Sequence, residues 1–152
     1  MSFLLKPLFG IFLLFHNSVI IKANTLPSSK PFEPYRITIN NNNVPKVVVG
    51  CDDIGGDILA PGNSISWKFR MTWYDTNQYN CRFYWLDDKT LQILNYNTFS
   101  VFDKSFMKDE LCGYNAFAMS RCYWYITQDG FYFANDSYPW KDWQMMHGWN
   151  KI

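Results

Sequence analysis

Hydrophobic and polar residues alternate with a period of two along most of the chain beyond residue 35. In residues 64–73, Ile65, Trp67, Phe69, Met71 and Trp73 interleave with Ser64, Ser66, Lys68, Arg70 and Thr72, the pattern of a strand with one buried face. The same alternation puts Tyr79, Cys81, Phe83 and Trp85 on one face against Asn80, Arg82 and Tyr84, and Cys122, Trp124 and Ile126 against Tyr123, Tyr125 and Thr127. Two cysteines therefore face inward, where a disulfide would staple sheet to sheet. Gln128-Asp129-Gly130 separates residues 123–127 from 131–134, and Asp-Gly between two strand-like runs predicts an antiparallel hairpin because such a turn needs positive φ. Shorter runs at 36–40, 46–51, 91–96 and 98–102 bring the number of strands to seven or eight, divided by Asn, Asp, Gly and Pro clusters, with residues 40–43 a polar turn. No helix-period segment of useful length and no internal repeat is found. The pattern predicts an all-β protein, an antiparallel β-sandwich or barrel of short strands.

The first residues follow another rule. Residues 1–23 carry Lys6 near the start, an apolar stretch over 7–15 and Ala23 as a small residue before a cut, which is a secretory signal pattern. A spanning helix needs about 20 uninterrupted apolar residues, and Lys6, His16 and Asn17 break this stretch. The expected organisation is a signal peptide over 1–23, an extended entry segment over 24–34 with Pro27, Pro31 and Pro34, a sandwich domain over 35–134 and an aromatic tail over 135–152. A total of 152 residues leaves room for one domain, and 48% hydrophobic against 18% charged residues excludes a disordered chain. Without Lys6 and Lys22 of the leader, 12 basic side chains face 13 acidic ones, a net charge of −1. No field of one sign exists to gather phosphates, so nucleic acid is not the expected partner.

Four cysteines, Cys51, Cys81, Cys112 and Cys122, lie beyond the leader, and an even count in a secreted chain reads as two disulfides. Three pairings are possible. Zinc is disfavoured because no Cys-x-x-Cys pair is present. Asn135-Asp136-Ser137 is an acceptor sequon, so Asn135 is expected to carry a glycan. No catalytic constellation and no cofactor are expected: beyond the leader His147 is the sole histidine, in a segment expected to fray, and nucleophiles need a base. Asp52, Asp53 and Asp57 could form a calcium loop or a glycosidase pair, but Asp with Gly is also what a solvated turn requires, and Asp87 and Asp88 read the same way. Of the many aromatic residues, Trp67, Trp73, Trp85 and Trp124 fall on core faces, while Tyr84, Tyr123, Tyr125 and Tyr132 fall on nominally solvated ones and are candidates for contact. The tail, with Trp140, Trp143, Met145, Met146 and Trp149, is expected to cover an open sheet edge rather than form a binding strip.

The order of these features resembles the plant self-incompatibility proteins of the stigmatic S-protein type. The resemblance covers about residues 35–134: Tyr35-Arg-Ile-Thr-Ile-Asn40, Val47-Val-Val-Gly-Cys51-Asp-Asp with Gly55 behind it, and Leu59-Ala-Pro-Gly62 leading into Ser66-Trp67-Lys68-Phe69. Cys81-Arg-Phe-Tyr-Trp85 and Cys122-Tyr-Trp124 with Asp129-Gly130-Phe131-Tyr132 complete it. The chain departs after Cys51, where the family has a longer Ser/Lys/Asp run. The resemblance implies a secreted, disulfide-bonded sandwich acting as an extracellular ligand for a plasma-membrane receptor protein, with no enzymatic activity. The alternative is a carbohydrate-binding or defence protein of the cell wall. A monomer is expected, with receptor contacts in the loops that carry Asp52, Asp53, Asp57, Asp87 and Asp88. The disulfides are expected to nest, Cys51 with Cys122 and Cys81 with Cys112.

Overall fold

The computed structural model describes residues 34–71, 77–108, 112, 119–134 and 143–152. Strands run in chain order as β1 (Pro34–Asn41), β2 (Val47–Cys51), β3 (Gly55–Leu59), β4 (Ser64–Arg70), β5 (Tyr79–Leu86) and β6 (Ile93–Phe102). After the one-turn helix α1 (Lys104–Lys108) come β7 (Ser120–Ile126), β8 (Gly130–Ala134), β9 (Gln144–Gly148) and β10 (Asn150–Lys151). They build two five-stranded sheets, sheet A in the order β4-β1-β7-β8-β9 and sheet B in the order β10-β6-β5-β2-β3. The alternating faces do what their period requires. In β1 and β2 every second residue is buried, and Ile37, Ile39, Trp124, Ile126 and Phe131 of sheet A share a core with Val47, Val49, Phe83, Val101 and Phe102 of sheet B. Ring contacts cross between the sheets, Phe83 to Phe131 at 4.7 Å and Phe99 to Trp124 at 5.0 Å between centroids. This is the β-sandwich that the pattern predicts, antiparallel throughout except where β1 and β7 pair in parallel with Tyr35 opposite Ser120.

The disulfide pairing differs from the nested one. Cys51 is joined to Cys81 and Cys112 to Cys122. The reason is register: β2 and β5 are neighbours in sheet B with Cys51 directly opposite Cys81, their Cα atoms 4.1 Å apart. Both side chains are buried in the core, yet the bridge stays inside one sheet and does not staple the two together. Cys122, in β7 of sheet A, instead holds Cys112 across a separation of 10 residues.

Three further elements depart from the sequence pattern. The runs at 91–96 and 98–102 are one strand, β6, because Asn97 continues the ladder opposite Phe83. Residues 55–59, rich in Gly and Asp, form the edge strand β3. At the 127–130 hairpin the backbone of Thr127 and Gly130 pairs in both directions, so Gln128 and Asp129 are the tip and Gly130 opens β8. Glycine is needed there for two reasons: its φ is positive, 153°, and a Cβ on Gly130 would collide with the carbonyl oxygen of His147 in β9.

The end of the chain crosses from one sheet to the other. β9 pairs with β8 at the edge of sheet A, and β10 pairs with β6 at the edge of sheet B. Trp149 occupies the crossing, its Nε1 donating to the Thr127 carbonyl at 2.8 Å and its ring packed against Phe131 and Trp85. The edge-covering role expected of the tail is thus carried by residues 144–151. Trp73, Asn135 and the leader residues lie outside the described residues.

Candidate functional site

The five aspartates of the expected contact loops fall at three places in the fold. Asp52 and Asp53 occupy the turn between β2 and β3, where the Asp52 amide donates to the Asn80 carbonyl at the start of β5. Asp87 and Asp88 follow the other end of β5, beside Lys46. At a rise of about 3.3 Å per residue the length of β5 separates the two groups by roughly 20 Å. Asp57 belongs to neither. It lies on β3, where its Oδ1 accepts the neighbouring amide of Ile58 at 2.7 Å. That contact occupies a donor on an exposed edge strand, a position where a free amide invites another strand.

The turn after Cys51 is an open, charged element. Asp53 has φ 62°, in the left-handed region that Asp tolerates better than most residues. The Asp52 carboxylate stands 3.7 Å from the Arg82 guanidinium, a surface pair. Among the described residues no group of three His, Cys, Asp or Glu side chains is placed to share a metal ion.

The loop after β5 is more tightly built. The Asp87 Oδ1 accepts from the Lys89 amide at 3.0 Å, from the Thr90 amide at 2.7 Å and from the Thr90 hydroxyl at 2.9 Å. These bonds, with the Thr90 amide and hydroxyl foremost, hold the Asp87 carboxyl below the usual carboxylate range. The Leu91 amide closes the turn onto the Asp87 carbonyl, and Asp88 pairs with Lys46 at 3.1 Å. Held by this frame, Leu91 has φ 58° and is 58% exposed, a left-handed and solvated leucine. Ile93 and Leu94 beside it are also exposed. Leu91 and Leu94 were not among the residues expected to matter; the hydrophobic run Leu91, Ile93, Leu94 reads from sequence as buried strand.

The tyrosines sort differently from the solvated-face expectation. Tyr125 is buried, stacked under Trp143 at 4.1 Å, and Trp143 also packs on Tyr132. These two are covered because the residue that shields them arrives from much later in the chain. Tyr123 and Tyr84 are half-buried on the outer faces of sheets A and B. Tyr84 lies in a cross-strand row with Tyr96 on one side and Val48 and Ile58 on the other. His147 does not fray: it sits in β9, stacked on Phe99 at 4.1 Å, and burial pushes its pKa below that of an ordinary histidine.

Fold and loops together define a small disulfide-bonded β-sandwich whose distinctive chemistry lies in strand-end turns. The chain belongs to the plant self-incompatibility protein S1 family, whose model matches residues 36–149, from β1 to the crossing at Trp149. It is 34% identical over 61 residues to S-protein homolog 29 of Arabidopsis thaliana, a match that covers 36% of this chain and 45% of that relative. The chain thus spans less than half the length of that relative. No solved structure matches the chain. Among the described residues no helix is long and apolar enough to cross a membrane.

Proposed function

We propose that this protein is a secreted, non-enzymatic signalling ligand that loses residues 1–23 on export and binds a plasma-membrane receptor protein through its strand-end loops. The observation that carries this reading is the loop over residues 87–92. A leucine held at positive φ and exposed is strained and solvated at once, a combination that persists only where the surrounding bonds impose it. Asp87 imposes it here with three hydrogen bonds. The result is an exposed apolar tip ringed by the charged residues Asp88 and Lys89, the layout of apolar centre and polar rim found in protein interfaces. The turn with Asp52 and Asp53, at the other end of β5, would be a second contact if the receptor footprint extends along sheet B.

The test is saturable binding of the oxidised protein to plasma-membrane vesicles from plant tissue, with protease-treated vesicles as the control for a protein receptor. Leu91→Gly removes the anchor and accepts positive φ, so it should keep stability within about 1 kcal/mol while weakening binding at least tenfold. Asp52→Asn with Asp53→Asn should weaken it less. Undiminished binding by Leu91→Gly would reject this loop as the contact, and binding that survives protease would reject a protein receptor. Intact mass of the exported protein checks the loss of residues 1–23.

A further inference from the structure

The outer face of sheet A carries a feature that the receptor reading leaves unused. Register places Lys68 of β4 opposite Arg36 of β1, and Arg36 opposite Arg121 of β7. Three cations therefore stand in one line across three neighbouring strands, about 4.8 Å apart. Arg70 of β4 lies one outward position further along, opposite Pro34. Lys68, Arg70 and Arg121 are exposed and Arg36 is half-buried between them. Like charges directly opposite one another destabilise a sheet, and among the described residues no carboxylate lies on this face to relieve them. The ion pairs of the described residues, Lys46 with Asp88 and Arg82 with Asp52, are both on sheet B. The Arg36 Nε is buried with no hydrogen-bond partner.

The next line of outward positions on the same three strands is Ser66, Thr38 and Tyr123. A row of hydroxyls thus runs parallel to the row of cations across β4, β1 and β7. We propose that this face docks an acidic, hydroxyl-rich polysaccharide, a polyuronate, with its carboxylates on Lys68, Arg36, Arg121 and Arg70 and its ring hydroxyls on Ser66, Thr38 and Tyr123. The charge complementarity selects an anion, and the hydroxyl row selects among anions. An acidic peptide recognised by strand addition would lie along the open edge of β4 and leave Arg36 and Arg121, on the interior strands β1 and β7, out of its ladder. An anionic membrane surface favours apolar residues beside the cations, where this face has hydroxyls. A nucleic acid is gathered by a net positive field, and the chain without its leader has a net charge of −1. The proposal stands apart from the receptor reading, because the acidic loops belong to sheet B and this face looks out on the other side of the sandwich.

The test is affinity electrophoresis of the oxidised protein in gels containing de-esterified polygalacturonate, with parallel gels containing its fully methyl-esterified form. Retardation should occur in the first, vanish in the second and decline with added salt. Arg36→Gln with Arg121→Gln should weaken binding roughly tenfold, while the charge-matched Lys104→Gln with Lys151→Gln should leave it unchanged. Urea melts of all variants establish folding, and the single Lys68→Gln, at an exposed position, serves if the double variant fails to fold; it should weaken binding about threefold. Equal weakening by the two double variants, equal retardation in the esterified gel, or equally strong binding to polyglutamate or to phosphatidylserine vesicles would overturn the proposal. None of these results bears on the Leu91→Gly membrane assay, so the two readings fail separately.

Discussion

Asn41 gives the sharpest test of how the sandwich is held together. It is 1% exposed at the end of β1, and its Nδ2 donates to the carbonyls of Val44 at 2.7 Å and Leu59 at 2.8 Å while its Oδ1 accepts the Val44 amide at 3.0 Å. One side chain thereby fastens the turn into β2 and the end of β3, joining sheet A to sheet B. Asn41→Ala removes three hydrogen bonds, each worth about 0.5–1.5 kcal/mol net, and strands buried polar groups at about 1–3 kcal/mol apiece. These terms overlap, because an unmade bond and its orphaned partner are one event, so the expected loss is about 3–5 kcal/mol. Urea unfolding with an unchanged slope would report it as a lower midpoint. Asn41→Asp keeps the shape but turns two donated bonds into a carboxylate facing two carbonyls. Its folded-state pKa should be raised above the unfolded value of about 3.9, so its deficit should grow as pH rises through that window and shrink in acid. A loss under about 1 kcal/mol for Asn41→Ala, or an Asn41→Asp deficit independent of pH, would refute the assignment.

The disulfides and His147 give two further tests of the fold. Peptide mapping should join Cys51 to Cys81 and Cys112 to Cys122, and loop-closure entropy makes opening the first, with its separation of 30 residues, cost about 3.5 kcal/mol against about 2.5 for the second, with its separation of 10. Because the folded-state pKa of His147 is depressed by burial, the unfolded chain binds its proton first, so stability should be complete above pH of about 6.5 and fall as pH drops below that value towards the folded-state pKa. His147→Phe should flatten the urea midpoint between pH 7.5 and 5.5, a window above the carboxylate range where the Asp87 contribution is constant; a parent midpoint independent of pH there would refute it.

Much of this architecture is legible in the sequence wherever one strand face is buried and the other wet. β1, β2, β4 and β5 follow that alternation and β7 follows it as far as Trp124, whereas β8 is read from the Asp129-Gly130 turn. β3 is hidden because Gly55, Gly56 and Asp57 have the composition of a turn and pair only at the edge of the sheet. β9 and β10 are hidden because their residues contact both sheets in turn and so show no single period. Cysteine spacing carries no register, which is why the partner of Cys51 could not be read. Asn41 sits in a run of asparagines that reads as solvated turn, and only the convergence of two carbonyls and an amide makes its burial tolerable. Nor could the sequence show how the aspartates are divided: Asp52 and Asp87 sit on loops at opposite ends of β5, and Asp57 lies on the edge strand β3. The line of Lys68, Arg36 and Arg121 is invisible until β1 lies between β4 and β7, since nothing in a one-dimensional chain places those three side by side.

The crossing at Trp149 also sets the order of events during synthesis. β1 can complete its parallel pairing with β7 only after Ser120 has emerged to meet Tyr35, on the order of ten seconds later at ordinary translation rates. β8 and β6 then wait for residues 144–151 before their outer edges are filled. The nascent chain therefore carries two unfinished sheet edges until nearly all of the domain has been made. A product truncated before Gln144 would retain them permanently and be drawn into aggregates or degradation. The crossing through residues 144–151 is thus the last step that covers the edges of β8 and β6.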